Sequence, residues 1–249
     1  MKKYDAIYLS PHLDDAALSC GGQIAAQTRA GKSVLIVTIT AADPPPGPLS
    51  DFAQLLHQRW ETAANAVAIR RAEDVVAAAA LGADYAHWEF YDCIYRRAED
   101  GQPLYPTWND VIAPQFAAAD HPLVATLAAR MSQLPAAALI YAPLAVGRHA
   151  DHQITRAAAE MWAGSRLRYY EDYPYVAAPG ALAAVIGEAP GWQPTVIPLT
   201  PADLDAKYES IWAYTSQIST FFQDRAELEE KVGGYARQVG GERWWRKTG

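Results

Sequence analysis

The run Val34-Leu35-Ile36-Val37-Thr38-Ile39-Thr40 is apolar or β-branched at every position. It narrows the choice of fold more than any other feature, because a strand with no polar face must be covered on both sides, the situation of a strand inside a parallel sheet. Lys3 to Ser10, with the apolar run Ala6 to Leu9, also reads as a strand and precedes it. Between them, Ala16 to Ala30 reads as a helix ending at Gly31, a residue suited to the left-handed position that closes a helix. Strand, helix and strand within about 40 residues make a βαβ unit.

The alternation continues. Asp43 to Ser50 holds four prolines and a glycine and is a loop, and the alanine-rich stretch Asp51 to Leu81 predicts one or two helices stopped by Gly82. Further strands are predicted at Tyr85 to Tyr91, Ala138 to Tyr141, Leu167 to Tyr173 and Val196 to Leu199. Helices are predicted at Pro122 to Leu134, from near His152, and from Thr200-Pro201 with Asp203 to about Phe222. A polar loop reaches Asn109, and a stretch rich in proline, glycine and alanine reaches Gln193. This order predicts an α/β fold, a Rossmann-like three-layer sandwich with a mostly parallel sheet. A chain of 249 residues can bury one sizeable core, so residues 1–249 read as a single domain. The last 25 or so residues, polar with Trp244-Trp245 near the end, read as an extension.

Charge removes some functions. Twenty-eight acidic residues against 21 basic ones give a net charge of −7, which supplies no basic face for nucleic acid or for an anionic membrane. The apolar run Ala6 to Leu9 is far too short for a signal peptide, and Val75 to Leu81 is far too short to span a bilayer. Cys20 and Cys93 do not form a disulfide framework. A cytoplasmic location is the expectation.

Two strand ends carry the chemistry. The first strand closes in Ser10-Pro11-His12-Leu13-Asp14-Asp15, at the edge where open α/β sheets bind ligands. His12 and Asp15, three apart at a turn into a helix, can face one point and hold a cation. Taken alone, the turn leaves another reading open, in which Asp14 or Asp15 caps the helix. The strand at Ala138 to Tyr141 leads to Arg148-His149-Ala150-Asp151-His152, a second strand end with histidines beside aspartate. One more nitrogen from this cluster would complete a His, Asp, His set with a position left for water, as catalytic zinc requires. His57, His87 and His121 read as solvated surface residues. Most of the aromatic residues around Trp88 to Trp108 and Tyr169 to Tyr175 read as core packing, with sugar stacking as the other use.

These residues resemble the GlcNAc-phosphatidylinositol de-N-acetylase family, also called LmbE-like proteins, over most of the chain. Pro11-His12-Leu13-Asp14-Asp15-Ala16 before Ser19-Cys20-Gly21-Gly22 is similar to the family's first signature, and His149-Ala150-Asp151-His152 to its second. Arg70-Arg71-Ala72-Glu73 with Leu81-Gly82 looks like its central helix, and Lys207 with Tyr214-Thr215-Ser216-Gln217 like its late segment. The resemblance implies zinc, with iron(II) as an alternative, on His12, Asp15 and His152. It implies Asp14 as general base, a protonated His149 facing the reacting carbonyl to stabilise the oxyanion or help the amine leave, and Asp151 orienting one of the histidines. Arg70 and Asp92 match sugar-contacting positions, with Arg71 as the neighbouring alternative for the first. The implied reaction is hydrolysis of an N-acetyl group on an N-acetylglucosamine-type sugar, a small-molecule partner, by a homo-oligomer.

Three departures stand out. Leu13 and Ala150 replace prolines, Ala16 replaces a glutamate, and Val146-Gly147-Arg148 occupy the stretch where a tyrosine is often found. Two other readings stay in view: a metal-dependent amidase for a non-sugar amide and, from the loss of the glutamate at position 16, a carbohydrate-binding relative without turnover. Retention of Asp14 argues for turnover, because a binder has no need of a base that is not a ligand.

Overall fold

In the computed structural model, which describes residues 2–59, 66–187 and 191–248, the apolar runs form the centre of one seven-stranded sheet. The strands are β1 (Tyr4–Ser10), β2 (Val34–Thr38), β3 (Asp84–His87), β4 (Ala137–Pro143), β5 (Leu167–Tyr170), β6 (Trp192–Ile197) and β7 (Glu242–Lys247). Their spatial order is β3-β2-β1-β4-β5-β7-β6. The first five are parallel, with Ile7 beside both Leu35 and Ile140, and β7 runs antiparallel to β5 and β6.

Alternation along the central strands explains their continuous apolarity. Ile7, Leu9, Leu35 and Val37 enter one core cluster, whereas Ala6, Tyr8, Val34 and Ile36 enter another on the opposite face. Helices cover both faces. They are α1 (Asp15–Arg29), α2 (Asp51–Arg59), α3 (Ala66–Ala80), α4 (Trp108–Val111), α5 (His121–Met131), α6 (Ala150–Trp162), α7 (Ala181–Ile186), α8 (Pro201–Trp212), α9 (Ile218–Phe221) and α10 (Arg225–Val239). α8 packs on α1 and α3, and α5 packs on α6. Of the stretch expected to be helical from Asp51 to Leu81, residues 60–65 lie outside the described residues.

Tertiary pairing moved several boundaries. β3 stops at His87 rather than Tyr91, because the chain then leaves the ladder and returns only through a bridge between Thr40 and Glu89. β6 starts at Trp192, where pairing with β7 overrides the proline at position 194. The helix expected to reach Phe222 divides into α8 and the short α9. The supposed C-terminal extension contains α10 and β7, and β7 lies inside the sheet between β5 and β6. Its Glu242 carboxylate accepts from the backbone N–H groups of Gly22 at 3.0 Å and Gln23 at 2.7 Å, and from Lys207 Nζ at 2.6 Å.

The Gly21-Gly22 pair allows α1 to lie this close. A Cβ on Gly21 would stand 2.9 Å from Lys207 Cγ, and one on Gly22 would stand 2.5 Å from Leu199 Cδ1. Gly21→Ala is therefore expected to destabilise the protein by about 1–3 kcal/mol, the usual cost of overpacking, because the buried Lys207 stem that it meets is pinned by the bond from Nζ to Glu242. Urea denaturation checks this; an unchanged midpoint would contradict so close a contact.

Candidate active site

Each turn that carries chemistry is held by its own backbone bonds. At the end of β1, Ser10 Oγ donates to the His12 carbonyl at 2.7 Å and accepts from Ala16 N–H at 3.1 Å, which closes the turn into α1. His12 N–H donates to Asp15 Oδ2 at 2.8 Å. Between them Asp14 adopts φ +144°, an uncommon conformation for a residue with a side chain. Such backbone strain persists only where the surroundings enforce it. Asp14 occupies the N-cap position of α1, yet its side chain makes no capping hydrogen bond, so helix capping does not account for it.

The second turn, from β4 into α6, includes Ala145, Gly147 and Arg148 at φ +60°, +84° and +60°. At Gly147 a Cβ would stand 2.4 Å from the Tyr175 ring, so both φ and space require glycine. His149 caps α6, its Nδ1 accepting from Asp151 N–H at 3.3 Å.

The two turns meet at one oxygen. Asp15 Oδ2 lies 3.2 Å from His12 Nδ1 and 3.2 Å from His152 Nε2. The far nitrogen of each imidazole faces another buried carboxylate: His12 Nε2 lies 3.0 Å from Asp151 Oδ2, and His152 Nδ1 lies 2.6 Å from Asp172 Oδ1. His12, His149 and His152 also bring one nitrogen each within 4.8 Å of one another. Together these His and Asp residues form a candidate metal-binding group: the near nitrogens converge, and the far ones are held in the manner that fixes metal-ligating imidazoles.

A chain of charges supports it from behind. Arg96 Nη1 donates to Asp151 Oδ1 at 2.5 Å, and Arg96 Nε donates to Asp120 Oδ2 at 2.9 Å. Cys93 N–H adds a bond to Asp151 Oδ2 at 2.9 Å. Arg70, from α3, donates to the Leu13 carbonyl at 3.1 Å and lies 3.7 Å from Asp14 Oδ2. Neighbouring Arg71 turns away to the Ala41 carbonyl and Asp43, so of the two arginines Arg70 is the one that lines the cavity. Asp92 caps the short turn Cys93–Tyr95 and stands 3.7 Å from His12 Nε2.

Burial and charge set the protonation of these groups. Burial, then the charge of Asp15, pushes the Asp14 carboxyl up to about 7. Burial disfavours a charged His152, but Asp15 and Asp172 outweigh it and raise its pKa to about 9. Burial likewise opposes charge on His12, which Asp92, Asp15 and Asp151 nonetheless hold well above the usual range. Asp15, despite burial, is held well below the usual carboxylate range by His152 and His12. His149 goes the other way: burial, with His12 and His152 beside it, pushes it well below the ordinary imidazole range. This departs from the protonated His149 expected from the resemblance.

A cavity of about 230 Å³ opens onto the group. His12, Asp14, Asp15, Arg70, Asp92, His149 and His152 line it, while Asp151 lies behind His12. Leu56, Ile94, Trp108, Tyr173, Tyr175 and Phe221 supply an apolar wall. A larger depression of about 830 Å³ over β5 and β7 shares none of these residues. Gln217, from the late segment that carries the resemblance, also lines the cavity; Asp172 and Arg96 were not singled out in sequence, Asp172 because it falls inside the strand expected from Leu167 to Tyr173. His57 and His87 are not the surface residues expected: His57 is buried against the Tyr95 hydroxyl at 2.6 Å, and His87 Nε2 lies 2.8 Å from Asp74. His121 is exposed.

The architecture defines a class: a mostly parallel α/β protein with a buried His and Asp group at the ligand edge of its sheet. Residues 7–163 match the PIG-L family, GlcNAc-PI de-N-acetylase, and the chain belongs to that family of N-deacetylases. It is 26% identical to a 2′-N-acetylparomamine deacetylase of Streptomyces fradiae, over 98% of this chain and 82% of that one. The solved zinc-inhibited form of a teicoplanin deacetylase superposes with a TM-score of 0.83 at 29% identity, over 98% of this chain and 97% of the other. A deacetylase complex from the teicoplanin biosynthesis pathway gives 0.83 at 31% identity, with the same coverage. Among the described residues no helix is long and apolar enough to cross a membrane.

Arg96→Met leaves Asp151 and Asp120 buried without their cation. Its expected cost is about 3–5 kcal/mol, the range for breaking one side of a buried pair. Thermal and urea unfolding measure it, and a loss under 1 kcal/mol would show that the charge chain carries little.

Proposed function

We propose that the protein is a zinc-dependent hydrolase that removes the N-acetyl group from an N-acetylated amino sugar or its conjugate. The observation that carries this reading is the pair of imidazoles, each backed by a carboxylate, whose near nitrogens both lie 3.2 Å from Asp15 Oδ2 while Asp14 stands beside them on the cavity wall. Two imidazoles and one carboxylate suit zinc, with iron(II) as the alternative, and His12, Asp15 and His152 would hold the ion. When bound, such an ion polarises an acyl oxygen and acidifies water.

The remaining chemistry belongs to the chain's own side chains. Asp14, carried on strained backbone and flanked by Arg70 at 3.7 Å, takes the proton from the water that adds to the acyl carbon, then gives it to the departing amine. His149, with Nδ1 accepting from Asp151 N–H, is a neutral imidazole whose proton sits on Nε2, and it donates that N–H to the acyl oxygen as charge develops. Arg70 and Asp92 meet sugar hydroxyls from the cavity wall. The substrates named for the paromamine and teicoplanin deacetylases support an amino-sugar conjugate as the class.

Chelation followed by acetate assay on N-acetylglucosamine conjugates tests the reading. Stripped protein is expected to release no acetate and to recover on addition of one equivalent of zinc; full activity after verified stripping would sink the metal-dependent mechanism. Asp14→Asn is expected to keep its zinc while kcat falls roughly 10²- to 10⁴-fold. Undiminished turnover in that variant would take Asp14 out of the base role.

A further inference from the structure

Asp172, just past the end of β5, is 1% exposed and has both carboxylate oxygens engaged. Oδ1 faces His152 Nδ1 at 2.6 Å, and Oδ2 accepts from Val146 N–H at 2.9 Å. It therefore touches α6 and the loop preceding it at once. That loop is the one bearing left-handed backbone at Ala145, Gly147 and Arg148.

We infer that Asp172 is a positioning residue that fixes His152 in the tautomer required of a metal ligand. This rests on the proposed metal-dependent function. An ionised carboxylate can only accept, so the ring nitrogen facing it must carry a proton. With the proton on Nδ1, the lone pair sits on Nε2, the nitrogen 3.2 Å from Asp15 Oδ2. Without that partner a neutral imidazole is free to place its proton on Nε2, which blocks coordination from that nitrogen.

The two histidines are not backed alike. Asp151, behind His12, shares its charge with Arg96 at 2.5 Å and with Cys93 N–H at 2.9 Å. Apart from His152 itself, Asp172 has no basic side chain among its hydrogen-bond and ion-pair partners in the described residues, so more of its charge falls on His152. His152 is thereby made the more electron-rich of the two nitrogen ligands.

Asp172 could instead serve only as a staple between β5 and the loop, and Asp172→Asn separates the two roles. The amide can present its oxygen to Val146 N–H and keep the staple, which turns its NH₂ toward His152 Nδ1. A donor there makes Nδ1 an acceptor and drives the proton to Nε2, as amide replacement of an imidazole-orienting carboxylate does elsewhere.

The test measures zinc affinity by competition with a chromogenic chelator, and the His152 tautomer by ¹⁵N NMR of zinc-loaded wild-type protein. Expected are a proton on Nδ1 of His152 in the wild type and zinc binding about 10- to 100-fold weaker in Asp172→Asn, the usual effect of removing such a partner. The melting temperature of the metal-free variant should stay close to that of the metal-free wild type. Equal zinc affinity in the two proteins would overturn the inference while leaving the proposed function standing. So would zinc on Nδ1 in the wild-type spectrum, a result that needs no variant to fold. A wild-type chain that takes up no zinc would overturn both readings.

Discussion

Asp15 Oδ2 receives a backbone N–H at 2.8 Å and stands 3.2 Å from each of two imidazole nitrogens. Those nitrogens come from turns about 140 residues apart in sequence, so this oxygen is where the topology becomes a site. It works because β1 and β4 are neighbours in the sheet, with Ile7 beside Ile140 and Tyr8 beside Tyr141. Parallel pairing in that register brings both carboxyl ends to one edge, and the helices that follow, α1 and α6, start beside each other.

Gathering the groups there concentrates negative charge. Asp14, Asp15, Asp92, Asp151 and Asp172 lie around two histidines, with Arg70 and Arg96 as the arginines in ion-pair contact with them. Buried carboxylates are costly without compensation, and here it comes from those arginines and from the protons drawn onto His12 and His152. The field that favours imidazolium there favours a divalent cation equally, and binding one releases those protons. The site's demand for positive charge and its proposed chemistry have the same origin.

Much of this was legible in sequence where the signal was local. The uninterrupted apolarity of Val34 to Thr40 reported a strand covered on both faces, and strand-end histidines reported the ligand edge. What was not legible depended on distant partners. β7 is a strand because β5 and β6 flank it, although four of its six residues are charged and only Trp244-Trp245 are apolar. Arg96 lies in a loop whose composition says nothing of Asp151, 55 residues further on. His57 and His87 are sequestered by Tyr95 and Asp74, neither of which any local pattern connects to them.

The same distinction decides what the departures from the family pattern mean. Ala16 stands where relatives carry a glutamate, yet its side chain is buried in the apolar cluster with Ala6, Tyr8 and Cys20 and does not line the cavity. Leu13 and Ala150, in place of prolines, share another apolar cluster with Leu56, Val67 and Ile94. All three differences fall on packing surfaces, so they remove no group from the cavity wall. The missing tyrosine before the second motif is a different matter, because its region is not left open. Tyr175, arriving from beyond β5, lays its ring against Gly147 and edge-on to His152, with ring centroids 6.1 Å apart. A tyrosine there would crowd that ring, and glycine with φ +84° is what lets the two segments meet. The reading of a binder without turnover drew its support from the loss at position 16, and with Ala16 facing the core that support falls away.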